Sequence, residues 1–173
     1  WRQTKIINEC NQAKNKNASI SFEYNGYSIE LFWNKFQHTH RSVTTMPQLV
    51  TPIFCGFVKN QGIEAISISY DSQKCRNVED WIIAAKEAKK YFYVSCNFLI
   101  EKTPFEIPKE IIKNSDQINL LSLKPIKRKM NQTKLDIIRI LIEKYRSFGA
   151  NIAVDNCLGV QLGFIENCKA GKD

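Results

Sequence analysis

The sequence predicts an α+β domain, a mixed β-sheet of about five to seven strands with flanking helices. Three observations carry that reading. Alternating runs on either side of Asn25-Gly26, in "SISFEYNGYSIELFW", read as a tight hairpin. A helical stripe in residues 77–92 runs directly into the apolar run "YFYVSCNFLI". A long amphipathic stretch from about Thr133 to Phe148 ends at Gly149, a residue suited to stopping a helix.

Taken in order, residues 1–15 are polar with weak periodicity and read as a short helix at most. In the hairpin, Ile20, Phe22 and Tyr24 share one face of the first arm, and Ile29, Leu31 and Trp33 one face of the second. Pro47 and Pro52 bracket a Thr-rich loop or short helix. "IFCGFVKNQGIEAISISY" reads as a second hairpin turning at Lys59-Asn60-Gln61-Gly62. In its second arm Glu64, Ile66, Ile68 and Tyr70 alternate with Ala65, Ser67 and Ser69. A face of such small polar residues packs against something close or meets water.

Asn77, with Asp80 three residues on, forms a helix N-cap signature. Trp81, Ala84, Ala85, Ala88 and Phe92 then fall on one helical face, with Lys86, Glu87, Lys89 and Lys90 mostly on the other. The alanines let this helix lie close on a sheet. "YFYVSCNFLI", apolar on both faces, belongs at a central position, so a right-handed strand–helix–strand crossover is expected. Pro104 and Pro108 mark a turn, Lys109 to Lys113 a short helix, and "INLLSL" another short buried strand. The basic connector "KPIKRKMNQ" leads to the long helix, whose stripe is Leu135, Ile138, Leu141, Ile142 and Tyr145. Arg139 and Glu143 stand at pairing distance along it. "NIAVDNCLGVQLGFIEN" reads as a third hairpin.

With 173 residues, 43% hydrophobic and 24% charged, the chain is read as a single globular domain spanning 1–173. It begins at Trp1, so an incomplete N-terminus with an upstream segment is expected. No apolar run reaches the roughly 18 residues that a membrane span needs. The net charge of +8 comes from 25 Lys and Arg against 17 Asp and Glu. It favours nucleic acid as partner, although Lys enrichment also follows from composition bias. The six cysteines form no C-x-x-C pair, and Cys55 and Cys96 lie in apolar runs that suit buried thiols. An even cysteine count and two N-x-S/T sequons, at Asn17 and Asn131, also permit a secreted disulfide-bonded binding domain. An intracellular setting is favoured, with the compartment left open.

Few motifs carry chemistry. His38 and His40 are the two histidines and would share a strand face, but no pattern supplies a third metal ligand. No phosphate-binding glycine loop and no G-x-S-x-G elbow is present. Asp71 and Lys74, just after a strand, suit Mg²⁺-dependent phosphodiester cleavage, with Glu64 as a further carboxylate. A polar turn is the favoured reading of that stretch. Lys124, Lys127, Arg128 and Lys129 form a basic run fit for phosphate contacts, joined by Lys86, Lys89 and Lys90. Tyr91 and Tyr93 suit either stacking on bases or a place in the core.

Residues 63–123, "IEAISISYDSQKCRNVEDWIIAAKEAKKYFYVSCNFL" followed by "IPKEIIKNSDQINLLSL", resemble the core of restriction-endonuclease-like (Mrr-type) nuclease domains. The resemblance is of element order over about a third of the chain. It implies a strand ending in a catalytic acid and lysine. Here Ser67 and Ser69 stand at those places, and "TPIFCGF" offers no Asp. The resemblance therefore implies a degenerate site that binds rather than cuts. The reading is a nucleic-acid-associated, non-catalytic domain inside a larger assembly, with no cofactor. Its rivals are a nuclease with a shifted site (Asp71, Lys74, Glu64) that takes Mg²⁺, the secreted disulfide-bonded domain, and a plain protein-interaction subunit.

Overall fold

The computed structural model describes residues 19–23, 40–70, 77–100, 102–122 and 130–164; for 19–23 it describes the backbone alone. Six strands form one sheet: β1 (Ser19–Glu23), β2 (His40–Thr45), β3 (Ala65–Tyr70), β4 (Tyr93–Ile100), β5 (Gln117–Ser122) and β6 (Ile152–Val154). Their order across the sheet is their order in the chain, and every pairing is parallel. Between them lie a 3₁₀ turn (Pro47–Leu49), α1 (Pro52–Asn60), α2 (Val78–Ala88), α3 (Lys109–Asn114) and α4 (Gln132–Ser147); α5 (Asn156–Gln161) follows β6.

The helices start where the local chemistry tells them to. Thr51 accepts a hydrogen bond from the Phe54 N–H ahead of Pro52 at the first turn of α1. Asn77 accepts from Asp80 N–H at α2, Asn131 from Lys134 N–H at α4, and Asp155 from Leu158 N–H at α5. Gly149, at φ +82°, ends the turn after α4 in a conformation that a side chain would strain.

A sheet in which each link carries the chain to the next strand in the same sense collects its helices on one face. The burial pattern agrees. Val43, Ile66, Ile68, Val94, Cys96, Ile118 and Leu120 are all buried on one face. Trp81, Ala84, Ala85 and Ala88 of α2 are buried too, and the Trp81 indole N–H donates to the Ile68 carbonyl at 3.3 Å. α2 packs on both α1 and α3. The Tyr145 hydroxyl of α4 accepts from Ile107 N–H at 2.9 Å, and its ring stacks on Phe105, next to Phe98 of β4. Each fully buried aliphatic side chain contributes roughly 1.5–3 kcal/mol relative to exposure.

The structure corrects several expectations. The sheet is parallel, not mixed, in all described pairings, so the fold is α/β. "PIFCGFVKN" is helix α1, so the second hairpin does not form: the Thr51 cap and Pro52 start a helix where a short apolar run ahead of a turn suggested a strand. The third hairpin is instead the short strand β6 and helix α5, with Asp155 as the cap between them. Arg139 pairs with Asp136, and Glu143 with Arg146, rather than with each other. The expected second arm of the first hairpin, Ile29–Trp33, lies outside the described residues, while β1 lies parallel to β2. The crossover unit expected around residues 77–100 is present as β3–α2–β4, with β4 central. Its stripe of Trp81, Ala84, Ala85, Ala88 and Phe92 is buried as the spacing requires.

Candidate ligand-binding face of the sheet

Residues two apart on a strand share a face, and strands in register align those residues in rows. The face away from the helices is therefore fixed by the pairing. One row runs Thr44, Ser67, Ser95, Gln117. The next, nearer the C-terminal ends of the strands, runs Ser69, Asn97, Asn119, Ala153. Parallel sheets are ordinarily covered on both sides and built from aliphatic runs. Here one side follows that rule, and the other carries two rows of hydroxyl and amide groups, bordered at the C-terminal end by Leu99 and Leu121.

These groups bond to one another. The Ser67 and Ser95 hydroxyls lie 2.7 Å apart. The Gln117 amide donates to Asn119 Oδ1 at 2.6 Å, and the Asn119 amide donates to Asn97 Oδ1 at 2.8 Å. The relay runs in one direction, since Asn119 takes an N–H on its oxygen from Gln117 and gives one to Asn97. Among the described residues the Asn97 NH₂ has no partner, so the relay ends in a donor that a ligand oxygen can use. Ser95 is 5% exposed, while Ser67, Asn97 and Asn119 are half-buried. The array is thus partly desolvated yet reachable.

The two ends of this face differ. At the N-terminal ends of the strands, His40 Nδ1 and Glu64 lie 2.7 Å apart, and the Tyr93 hydroxyl donates to the Asp116 carbonyl at 3.2 Å. Asp116 also accepts from Val94 N–H and pairs with Lys89 at 2.9 Å. That end is tied together by its own charges. At the C-terminal ends, Asp155 accepts from Ser122 N–H with one oxygen and caps α5 with the other, so its carboxylate is occupied. On the opposite, helix-covered face, in register with Ile68 and Ile100, Thr45 and Ser122 end β2 and β5; they are 2% and 4% exposed, and their hydroxyls have no partner among the described residues. Unsatisfied buried hydroxyls are rare and call for a reason.

The residues singled out from the sequence distribute as follows. Glu64 stands just ahead of β3 and bonds to His40. Six residues of β3, roughly 20 Å of strand, separate it from the end of that strand. Asp71, Lys74, His38, Lys124, Lys127, Arg128 and Lys129 lie outside the described residues. Lys89 pairs with Asp116, and Lys90 with Glu87, whose hydrogen bond holds the Lys90 ammonium above its usual range. Lys86 is exposed and makes no ion pair among the described residues. Tyr91 and Tyr93 are not core: they are 43% and 46% exposed, and Lys59 sits 5.0 Å from the Tyr91 ring centre. Cys55, Cys96 and Cys157 are not joined in disulfides. Among the described residues no group of three His, Cys, Asp or Glu side chains is placed to hold a metal ion. No helix among them is long and apolar enough to cross a membrane.

Sequence reasoning noticed Ser67 and Ser69 but missed Ser95, Asn97, Gln117 and Asn119. The signal was there: "VSCNF" and "QINL" both alternate polar with apolar, a period of two hidden inside runs read as apolar throughout. No protein-family model matches this chain, and neither a curated protein nor a solved structure matches it significantly.

Proposed function

We propose that this chain binds a small polar molecule on the hydroxyl- and amide-lined face of its sheet, towards the C-terminal ends of the strands. The observation that carries this is the chemistry of that face, where a parallel sheet would ordinarily bury aliphatic side chains. Parallel α/β sheets place their ligands beyond the carboxyl ends of the strands, and the row Ser69, Asn97, Asn119 is the nearer of the two polar rows to that edge. The two rows Thr44, Ser67, Ser95, Gln117 and Ser69, Asn97, Asn119 are neutral hydrogen-bonding groups, followed towards the C-terminal ends by the apolar pair Leu99 and Leu121. The two rows suit a ligand with carbonyl, amide or hydroxyl groups. They supply no general base and no nucleophile activated by one, so these residues hold and orient a ligand and do not themselves transform it.

The test is a titration followed by NMR, with the side-chain NH₂ signals of Asn97 and Asn119 as reporters. The probes are uridine, N-acetylglucosamine and glycinamide. At least one probe is expected to shift both signals saturably, equally at pH 5.5 and 8.5, and to lose that effect in Asn97→Leu. If no probe moves these signals, or the shift survives in Asn97→Leu, the reading fails.

Nucleic-acid association within a larger assembly stands second. It rests on the net charge of +8 and the run from Lys124 to Lys129. Lys89 and Lys90 weaken it, because both are already paired with carboxylates. Single-stranded DNA binding that falls steeply with salt, and is lost when Lys127, Arg128 and Lys129 become Ala, would raise it to first place.

A further inference from the structure

A cleft of about 650 Å³ opens in the helix layer, between the segment 102–108, α3 and α4. It lies on the side of the sheet opposite the Ser/Asn face. Its wall is a chain of aromatic rings. Tyr70 stacks on Phe98 with centres 5.6 Å apart, Phe98 meets Phe105 at 5.9 Å, and Phe105 stacks on Tyr145 at 6.3 Å. The chain is rigid, because Phe98, Phe105 and Tyr145 are each at most 9% exposed and the Tyr145 hydroxyl is held by Ile107 N–H. Phe148, also lining the cleft, is 68% exposed, an unusual position for a large apolar ring.

Charge is distributed unevenly around this apolar wall. Lys102, Lys109 and Lys144 line the cleft against a single carboxylate, Glu106. Elsewhere Lys89, Lys90, Arg139 and Arg146 each have an acidic partner. Among the described residues no ion pair reaches any of the three cleft lysines. Three exposed ammonium groups around one cleft raise the local concentration of anions there. The aromatic wall is ill suited to a polyphosphate chain and well suited to a flat apolar body. The volume is within the range of sites for molecules of drug size.

We infer that this cleft is a binding site for a small amphipathic anion, a flat apolar body carrying one carboxylate, sulfonate or phosphate. The rings of Phe105, Tyr145 and Phe148 take the body, and Lys102, Lys109 and Lys144 take the charge. The site is separate from the Ser/Asn face and does not depend on what binds there.

Fluorescence titration with 8-anilinonaphthalene-1-sulfonate tests this, with neutral N-phenyl-1-naphthylamine as the uncharged control. Thermal unfolding of each variant shows that it is folded. The native protein is expected to bind one equivalent of the sulfonate saturably. Changing all three lysines to Gln should weaken the sulfonate about tenfold, near 1.4 kcal/mol, and leave the neutral probe within about twofold. Phe148→Ala, at an exposed position where folding is not at stake, should weaken both probes. Non-saturable binding, or equal sulfonate affinity in the triple variant, overturns the inference. Equal losses for both probes in the triple variant would also overturn it, because the lysines would then not be reading charge.

Discussion

On one side of β4, Val94, Cys96 and Phe98 are buried beneath helices; on the other, Ser95 and Asn97 reach across to Ser67 and Asn119. The strand is the same, and the two sets alternate residue by residue. What differs is what each set is for. The apolar set removes surface from water and holds helices to sheet, and any well-packed aliphatic would serve. The polar set contributes little to holding the domain together, because its hydrogen bonds replace others made to water. Side chains that stabilise little at so central a place in the fold are best explained by something they bind.

The comparison breaks first if the apolar face is not where the stability resides. Trp81 is fully buried in α2 and donates to the Ile68 carbonyl. Trp81→Ala leaves a cavity and removes the indole hydrogen bond to the Ile68 carbonyl, and should cost about 3–5 kcal/mol in urea unfolding. A loss below about 1 kcal/mol would mean that α2 does not anchor the sheet.

A second test uses pH on the same apolar layer. Cys55 of α1 is buried, and burial, followed by the charge of Glu87, pushes its thiol up from 9.0 to about 11. Below pH 9 the thiol is protonated in both folded and unfolded chains, so it costs nothing. Between pH 9 and 11 only the unfolded chain gives up the proton, and folding stability falls as pH rises. Relative to Cys55→Ala, the native protein should lose up to about 3 kcal/mol across that interval in denaturant titrations. Parallel pH profiles for the two proteins would refute a buried, neutral thiol.

Asp155 sharpens the comparison at the C-terminal edge, where both faces end. Its carboxylate caps α5 through Leu158 N–H at 2.6 Å and reaches Ser122 N–H at 3.3 Å. Asp155→Ala should cost about 1–2 kcal/mol by thermal or urea unfolding, and Asp155→Asn should recover most of it, since the capping oxygen is kept. If Asn rescues nothing, the charge rather than the cap is what the site needs.

The sequence made some of this legible and hid the rest for physical reasons. The α2 stripe and the Asn77 cap were readable because periodicity and capping chemistry agree within one turn. α4 was readable to within a residue at each end, because its stripe is long and Gly149 stops it. α1 was hidden because "IFCGFV" is a short, continuous apolar run that periodicity alone cannot assign to helix or strand, and only the Thr51-Pro52 pair spoke for a helix. α5 was hidden because its six residues carry too short a pattern, although Asp155 marked its start. The parallel sheet could not be read from any single strand, since strand direction depends on what lies between strands. The polar face was half visible in Ser67 and Ser69. Its extension through Asn97 and Asn119 needed the register, which aligns residues 22 apart in the chain.

The smallest expected effect decides most directly between the two faces. The Ser67 and Ser95 hydroxyls share one hydrogen bond of 2.7 Å, and Ser95 is 5% exposed. Ser67→Ala alone leaves the more buried Ser95 hydroxyl without its partner and should cost about 1 kcal/mol. Replacing both serines with Ala removes donor and acceptor together and should return stability to within about 0.5 kcal/mol of the native protein. A double-mutant cycle in urea measures both values. If the double variant instead loses as much as Trp81→Ala does, the polar face is structural after all, and its hydroxyls and amides need no ligand to account for them. If the double variant is stable while Asn97→Leu abolishes the NMR response to the polar probes, the two faces have separate tasks: one holds the domain together and the other holds the ligand.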